Sequence, residues 1–389
     1  MINKNKDRGI TLVALVITII ILLILATISI QSLTNTGLFK NAQKAKDETQ
    51  NAAENQAKTL NEYEDELNKY ISGTVEERKD PIKEVANKVL STTDNTELQD
   101  AYGNKIVVPA GFKIVSDSTT SNTTTVDKGI VIEDATTGAT AGSQFVWIPA
   151  GKIYTDVAKT DANAKTIELG RYSFDYSTGL ESAYSGSYVE EDANDESTLT
   201  NTENKAIAKN ITNFKNSVTS NGGYYIGRYE ARTTTERSSE DDTLTQITEK
   251  GTNPVYNYVT QIQAAEQAQN MYNSSKFTSD LMNSYAWDTA TLFLQTCGTN
   301  SKYSRQTKVS SALSQTGTNT QSTKDVQCNV YEWTTETSDS SHGPCVTRGG
   351  DYSDYGSSDF CTSGSYSYST SISRAYDGFR PLLFVGLNS

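Results

Sequence analysis

From Ile10 to Phe39 the chain carries no charged residue, and from Leu12 to Ile30 it is almost wholly apolar. Few folds accept such a run, because about 17–25 apolar residues are what a helix needs to cross a bilayer. Lys4, Lys6 and Arg8 precede it, so that end is expected to be cytoplasmic and everything after Lys40 outside. The expectation is a single-pass transmembrane helix over 10–31, a cell-membrane location and an extracellular remainder. Asn35-Thr36-Gly37 is a helix stop. An amphipathic stalk helix is expected across 32–73, where Phe39, Ala42, Thr49, Ala53, Leu60, Tyr63, Leu67 and Tyr70 fall on a 3/4 spacing beside Glu62, Asp65 and Lys69. That narrow seam needs a partner surface, either the chain's own body or a neighbour in a filament. A linker over 74–104 follows.

The chain has 389 residues, more than one domain's usual length of about 100–200. Its formal net charge of −13 argues against a phosphate-binding surface, and no nucleic-acid partner is expected. The single histidine, His342, excludes a multi-histidine zinc site. It sits in Ser340-Ser341-His342-Gly343-Pro344, a turn-like string, and reads as an exposed loop residue. No glycine-rich phosphate cradle leads into a helix. The 22 tyrosines supply apolar area with a polar tip, which suits an ordered chain with wet surfaces.

Beyond Asn104 the pattern changes to short β-like runs: Ile106–Val108, Phe112–Val115, Ile130–Ile132 and Phe145–Ile148. Residues near 155–205 are polar and acidic around Glu190-Glu191-Asp192 and read as an insertion or irregular loop. Helices are expected over Ala206–Val218, over Gln261–Met271 and from Tyr285.

Two resemblances follow. The basic start, then Gly9, then Ile10-Thr11-Leu12 and an apolar helix, resembles the prepilin leader of type IV pilins. It implies a leader over 1–9, cleavage between Gly9 and Ile10 by a prepilin peptidase, and other pilin subunits as partners. The family usually places Glu at the fifth mature position, where this chain has Ala14; some tip-located minor pilins also lack that Glu.

The second resemblance rests on ordered segments: Phe145-Val146-Trp147-Ile148-Pro149-Ala150-Gly151, Tyr224-Tyr225-Ile226-Gly227-Arg228-Tyr229-Glu230, Asn253-Pro254-Val255, Tyr285-Ala286-Trp287-Asp288, Asn329-Val330-Tyr331-Glu332-Trp333, Arg348-Gly349-Gly350 and Gly378-Phe379-Arg380. In this order they resemble the formylglycine-generating enzyme family, also called sulfatase-modifying factors, a branch of the C-type-lectin-like fold. The implied fold class is α+β: N-terminal transmembrane and stalk helices, then an irregular, loop-rich lectin-like domain over 105–387. Glu332 beside Trp333 is expected to be buried and to need Arg348 or Arg380 as partner. Gly349, Gly350 and Gly378 are expected to permit close backbone approach or positive φ.

Catalytic members of that family bind copper(I) through two cysteines shortly after the Arg-Gly-Gly. Counting without gaps, those positions fall on Asp354 and Asp359, which cannot replace thiolates. The resemblance therefore implies a scaffold without the oxidase chemistry. A copper-dependent oxidase is the alternative, and a purely structural minor pilin a second one. Four cysteines outside the membrane suit up to two disulfides, Cys345–Cys361 and Cys297–Cys328 being favoured, with free buried thiols as the other reading. Between Tyr352 and Asp377 the chain is crowded with Tyr, Ser, Gly and Asp, a recognition vocabulary like that of antibody loops. Tyr352, Asp354, Tyr355, Asp359, Tyr366, Tyr368 and Tyr376 are the candidate ligand-binding residues, for a protein or a glycan. In some lectin-like relatives this stretch is varied by diversity-generating retroelements. No cofactor is expected beyond calcium, which several relatives bind, and no ligand set for a metal can be named.

Overall fold

The computed structural model describes residues 8–35, 44–46, 48–53, 56, 58, 60, 80–115, 124–175, 177–191, 206, 208–245, 247–305, 319–320, 323–324, 329–339, 342–352 and 365–386. The chain divides into two units, Met1–Arg78 and Lys79–Ser389.

In the first unit, α1 (Arg8–Asn35) is apolar around its whole circumference and ends at Asn35, just ahead of Gly37. Gly9 and Ile10 lie in its first turn. The expected membrane span is corrected here: among the described residues, no helix is long and apolar enough to cross a membrane. The fold class therefore loses its N-terminal transmembrane helix. The single-pass and prepilin-type membrane assignments go with it, as does the cell-membrane and extracellular placement. The second unit is a body of mixed helix and sheet with several small sheets.

That body is organised by a six-stranded antiparallel sheet built from β1 (Phe112–Ile114), β2 (Val131–Asp134), β3 (Gln144–Pro149), β5 (Gly223–Gly227), β6 (Phe277–Leu281) and β11 (Pro381–Val385). The strand order is β6-β11-β5-β3-β2-β1. Phe145-Val146-Trp147-Ile148 is continuously apolar because the sheet is covered on both faces. Side chains alternate between two cores. Phe145, Trp147, Tyr225 and Leu383 enter one, and Ile148, Tyr224, Ile226, Leu382 and Phe384 the other. Pairing of Tyr225 with Trp147 across β5 and β3 puts their rings 4.9 Å apart. Gly223 opposite Pro149 is required there, since a Cβ would stand 2.5 Å from the Ile148 carbonyl oxygen.

Helices α2 (Ile211–Asn221) and α4 (Ser284–Cys297) supply Phe214, Val218, Trp287, Ala290 and Phe293 to the second core. Helix α2 starts later than expected because Asn210, in a left-handed conformation, caps it through a bond from the Asn213 amide. Helix α3 (Gln261–Met271) matches its expected bounds and delivers Ala264, Ala265, Ala268 and Met271 to the first core. Its start is fixed by a capping box between Thr260 and Gln263.

A second sheet, of five strands, comprises β4 (Val189–Glu190), β7 (Tyr331–Thr337), β8 (Cys345–Arg348), β9 (Ser365–Tyr368) and β10 (Asp377–Phe379). Its order is β4-β7-β8-β9, with β10 parallel to β7. The polar stretch expected to be irregular is in part ordered. It forms the hairpins Gly151–Tyr154 with Ala164–Ile167 and Tyr172–Phe174 with Glu181–Ala183, then strand β4.

Candidate functional site

Strand β7 places Tyr331 and Trp333, two residues apart, beneath β9 and the turn that precedes β10. Tyr331 lies at ring-centroid distances of 5.2 Å from Tyr366, 6.0 Å from Tyr368 and 6.4 Å from Tyr376, and Trp333 lies 6.1 Å from Tyr368. Tyr366 and Tyr368 share one face of β9 because strand side chains repeat every second residue. Tyr331 is buried, whereas Tyr352, Tyr366, Tyr368 and Tyr376 are half-buried. The result is a tyrosine platform with its floor sealed and its edges in solvent.

Arg374 ties the platform together. Its guanidinium carbon lies 4.3 Å from the Tyr368 ring centroid, 4.5 Å from that of Tyr376 and 6.0 Å from that of Tyr331. Nε and Nη2 donate to the two carboxylate oxygens of Asp377 at 2.7 and 2.8 Å, a fork of the kind only arginine makes. Burial works against the Arg374 charge, but Asp377 and Tyr368 outweigh it and raise its pKa. Burial, with Asp351, Tyr258 and Tyr376 nearby, pushes the Tyr352 hydroxyl up, so the phenol stays a neutral donor. Backbone bonds lock the turn: the Tyr331 amide donates to the Tyr376 carbonyl at 2.8 Å, and Asn257 Nδ2 donates to the Ala375 carbonyl at 2.8 Å.

The two glutamates of β7 are buried against arginines. Glu332 is held by Arg380. Arg348 turns instead to Glu336 and Asp288, at 2.7 and 3.2 Å. Gly349 has a φ of +75°, a left-handed conformation that favours glycine. A Cβ on Gly378 would meet Val330 Cγ2 at 2.7 Å, so β10 can lie this close only with glycine there.

The structure thus brings together Tyr366, Tyr368 and Tyr376, with Tyr352 beside Tyr376. Asp354, Tyr355, Asp359, Cys361 and Cys328 lie outside the described residues, so neither the ungapped copper positions nor the partners in the two cysteine pairings can be placed. Cys345 is buried in β8, and Cys297, at the end of α4, is a thiol pushed up to about 12 by burial. His342 is exposed. Among the described residues no cluster of His, Cys, Asp or Glu could hold a metal ion. Sequence reasoning missed Tyr331 and Arg374 as members of the site. Tyr331 stood next to the Glu332-Trp333 pair, and the i,i+3 spacing of Arg374 and Asp377 was a further signal.

A separate cavity of about 410 Å³ opens where Val89, Thr93, Gly111, Thr136, Lys276 and Phe277 meet, sharing no residue with the platform. Its one titratable wall residue, Lys276, is paired with Asp94 at 2.9 Å.

No family model matches this chain, and no curated protein matches it. Among solved structures, Treponema denticola variable protein 1 is similar at 14% identity and a TM-score of 0.34, over 64% of this chain and 98% of that one.

Proposed function

We propose that the second unit is a ligand-recognition module that binds through the tyrosine platform. The observation that carries this reading is the arrangement of three half-buried tyrosines, Tyr366, Tyr368 and Tyr376, around the Arg374–Asp377 fork. Such a platform offers flat apolar faces, hydroxyl donors and little rotamer entropy to lose on binding. Its ligand is a protein or a glycan with a face that stacks on phenol rings. The module is a binder and not a copper oxidase, a reading supported by Asp at 354 and 359 where the resembling enzymes carry cysteines. The Tyr-, Ser- and Asp-rich composition from Tyr352 to Asp377 further supports a segment diversified between copies of the gene. Sequencing many copies should then show changes confined to adenine-containing codons of that stretch.

The test is binding of the purified chain to arrayed glycans and proteins, followed by Tyr366→Ala and Tyr376→Ala. Loss of at least about tenfold in affinity, with a melting temperature within about 3 °C of the parent, supports the reading. Ligands that bind both variants as well as the parent defeat it.

A further inference from the structure

We infer that segment 170–190 is latched onto the body by a proton held on Glu190, which stands beside Glu336 in a cluster that also contains Asp288 and the guanidiniums of Arg171 and Arg348. The segment contributes Arg171 and Glu190. The body contributes Glu336 from β7, Arg348 from β8 and Asp288 from α4.

Charge counting gives the reason. Arg348 Nε donates to Glu336 at 2.7 Å and its Nη1 lies 3.2 Å from Asp288. Arg171 also donates to Glu336, lies 3.7 Å over the Tyr184 ring and donates to the Tyr188 carbonyl at 2.7 Å. Glu190 stands directly opposite Glu336 in the β4–β7 register, a like-charge pairing that is destabilising when both are ionised. Three carboxylates against two guanidiniums leave one negative charge in excess where Glu336, Asp288 and Arg348 are buried and Glu190 and Arg171 half-buried, and a bound proton removes it.

Glu190 is the member placed to carry that proton. One of its oxygens accepts from the Ser284 amide and hydroxyl, both at 2.7 Å, and the other meets the Thr335 hydroxyl. A proton on that second oxygen donates to Thr335, since a hydroxyl accepts as well as donates. No hydrogen bond is lost on protonation. Burial, the largest influence, with Glu336 adding to it, pushes Glu190 up to about 7 against the hydrogen bonds of Thr335 and Ser284. Asp288 is pushed up to about 6 by burial, with Arg348 opposing. The neighbouring Glu191 accepts from the Thr337 hydroxyl at 3.3 Å. A carboxyl that holds its proton more tightly when docked favours docking at low pH and loses that contribution as pH rises through neutrality. The segment is therefore held more tightly at mildly acidic pH than above neutrality. This goes beyond the ligand-recognition reading and does not depend on it.

The test is hydrogen exchange of the full chain at pH 6 and pH 8, corrected for intrinsic rates, with peptides from 170–190 compared with peptides from α3. The latch predicts about tenfold less protection of 170–190 at pH 8 and no such change in α3. In Glu190→Gln, which mimics the protonated side chain, the loss should fall below about twofold. Equal protection at both pH values in the parent, or an undiminished loss in the Gln variant, overturns the proposal. Should the variant fail to fold, a carboxyl carbon NMR titration of the parent decides: a glutamate titrating between pH 6 and 8 supports the latch, and none doing so overturns it.

Discussion

Arg380 grips Glu332 with two hydrogen bonds, 3.0 Å from Nε and 2.6 Å from Nη2, and neither side chain reaches solvent. Its remaining Nη1 donates to the Gly227 carbonyl at 2.9 Å, so one guanidinium joins β7, β5 and the start of β11. Removing one partner strands the other charge in the interior. Arg380→Met should cost about 3–5 kcal/mol in urea unfolding, with much of that recovered in the Arg380→Met, Glu332→Met double variant. A loss below about 1 kcal/mol for the single variant would show the pair to be unimportant.

Gly378→Ala forces a methyl against Val330 Cγ2, in a part of β10 that is wholly buried. Overpacking of this kind costs about 1–3 kcal/mol. The thermal midpoint should fall by several degrees, and an unchanged midpoint would mean that β10 can move away from Val330.

Arg374→Lys keeps the positive charge but loses both the fork to Asp377 and the planar stacking on Tyr368 and Tyr376. A loss of about 1–2 kcal/mol in stability is expected, together with sharper proteolysis between residues 365 and 376. Equal resistance in parent and variant would remove Arg374 from its positioning role.

Burial pushes Asp280 up to about 6 from an ordinary 3.8, even though the amides of Lys209 and Leu281 and the side chain of Gln269 donate to it. The folded state binds this proton more tightly than the unfolded state. The stabilisation it gives is complete below about pH 4 and is lost as pH rises from there through about 6. Urea midpoints should decline over that window, and Asp280→Asn should flatten the decline. A midpoint that rises with pH in the parent and stays steep in the variant would contradict the assignment.

Cys297 should react with iodoacetamide at least about a hundredfold more slowly than a free cysteine at pH 8, because so little thiolate exists when burial holds the thiol near 12. Denaturation without reductant should then expose it to rapid labelling. Failure to label would indicate a disulfide.

Elements with strong local signals were legible in the chain. The capping box at Thr260 and Gln263 and the alanines at 264, 265 and 268 mark α3 without any tertiary information. Phe145–Ile148 was readable as a strand, although its apolar continuity hid the fact that it feeds two separate cores. The tyrosines of β9 were marked by composition. Their partners were not, because Tyr331 and Arg374 meet only through parallel pairing of β7 with β10, over forty residues apart. Arg380 rather than Arg348 as the mate of Glu332 was equally beyond local reading, since each stands beside glycine in the sequence, Arg348 before Gly349-Gly350 and Arg380 after Gly378-Phe379. The hairpins within 151–183 were missed because few of their side chains are buried, which leaves no hydrophobic alternation to detect. The uncharged, apolar run after Lys4, Lys6 and Arg8 reads as a bilayer span, whereas among the described residues no helix is long and apolar enough to cross a membrane.

A sheet sandwiched between two cores has no side left to lend. In the second unit a partner is therefore met away from those six strands, as at the platform on the edge strand β9. Side-chain changes on that edge strand leave both cores of the six-stranded sheet untouched.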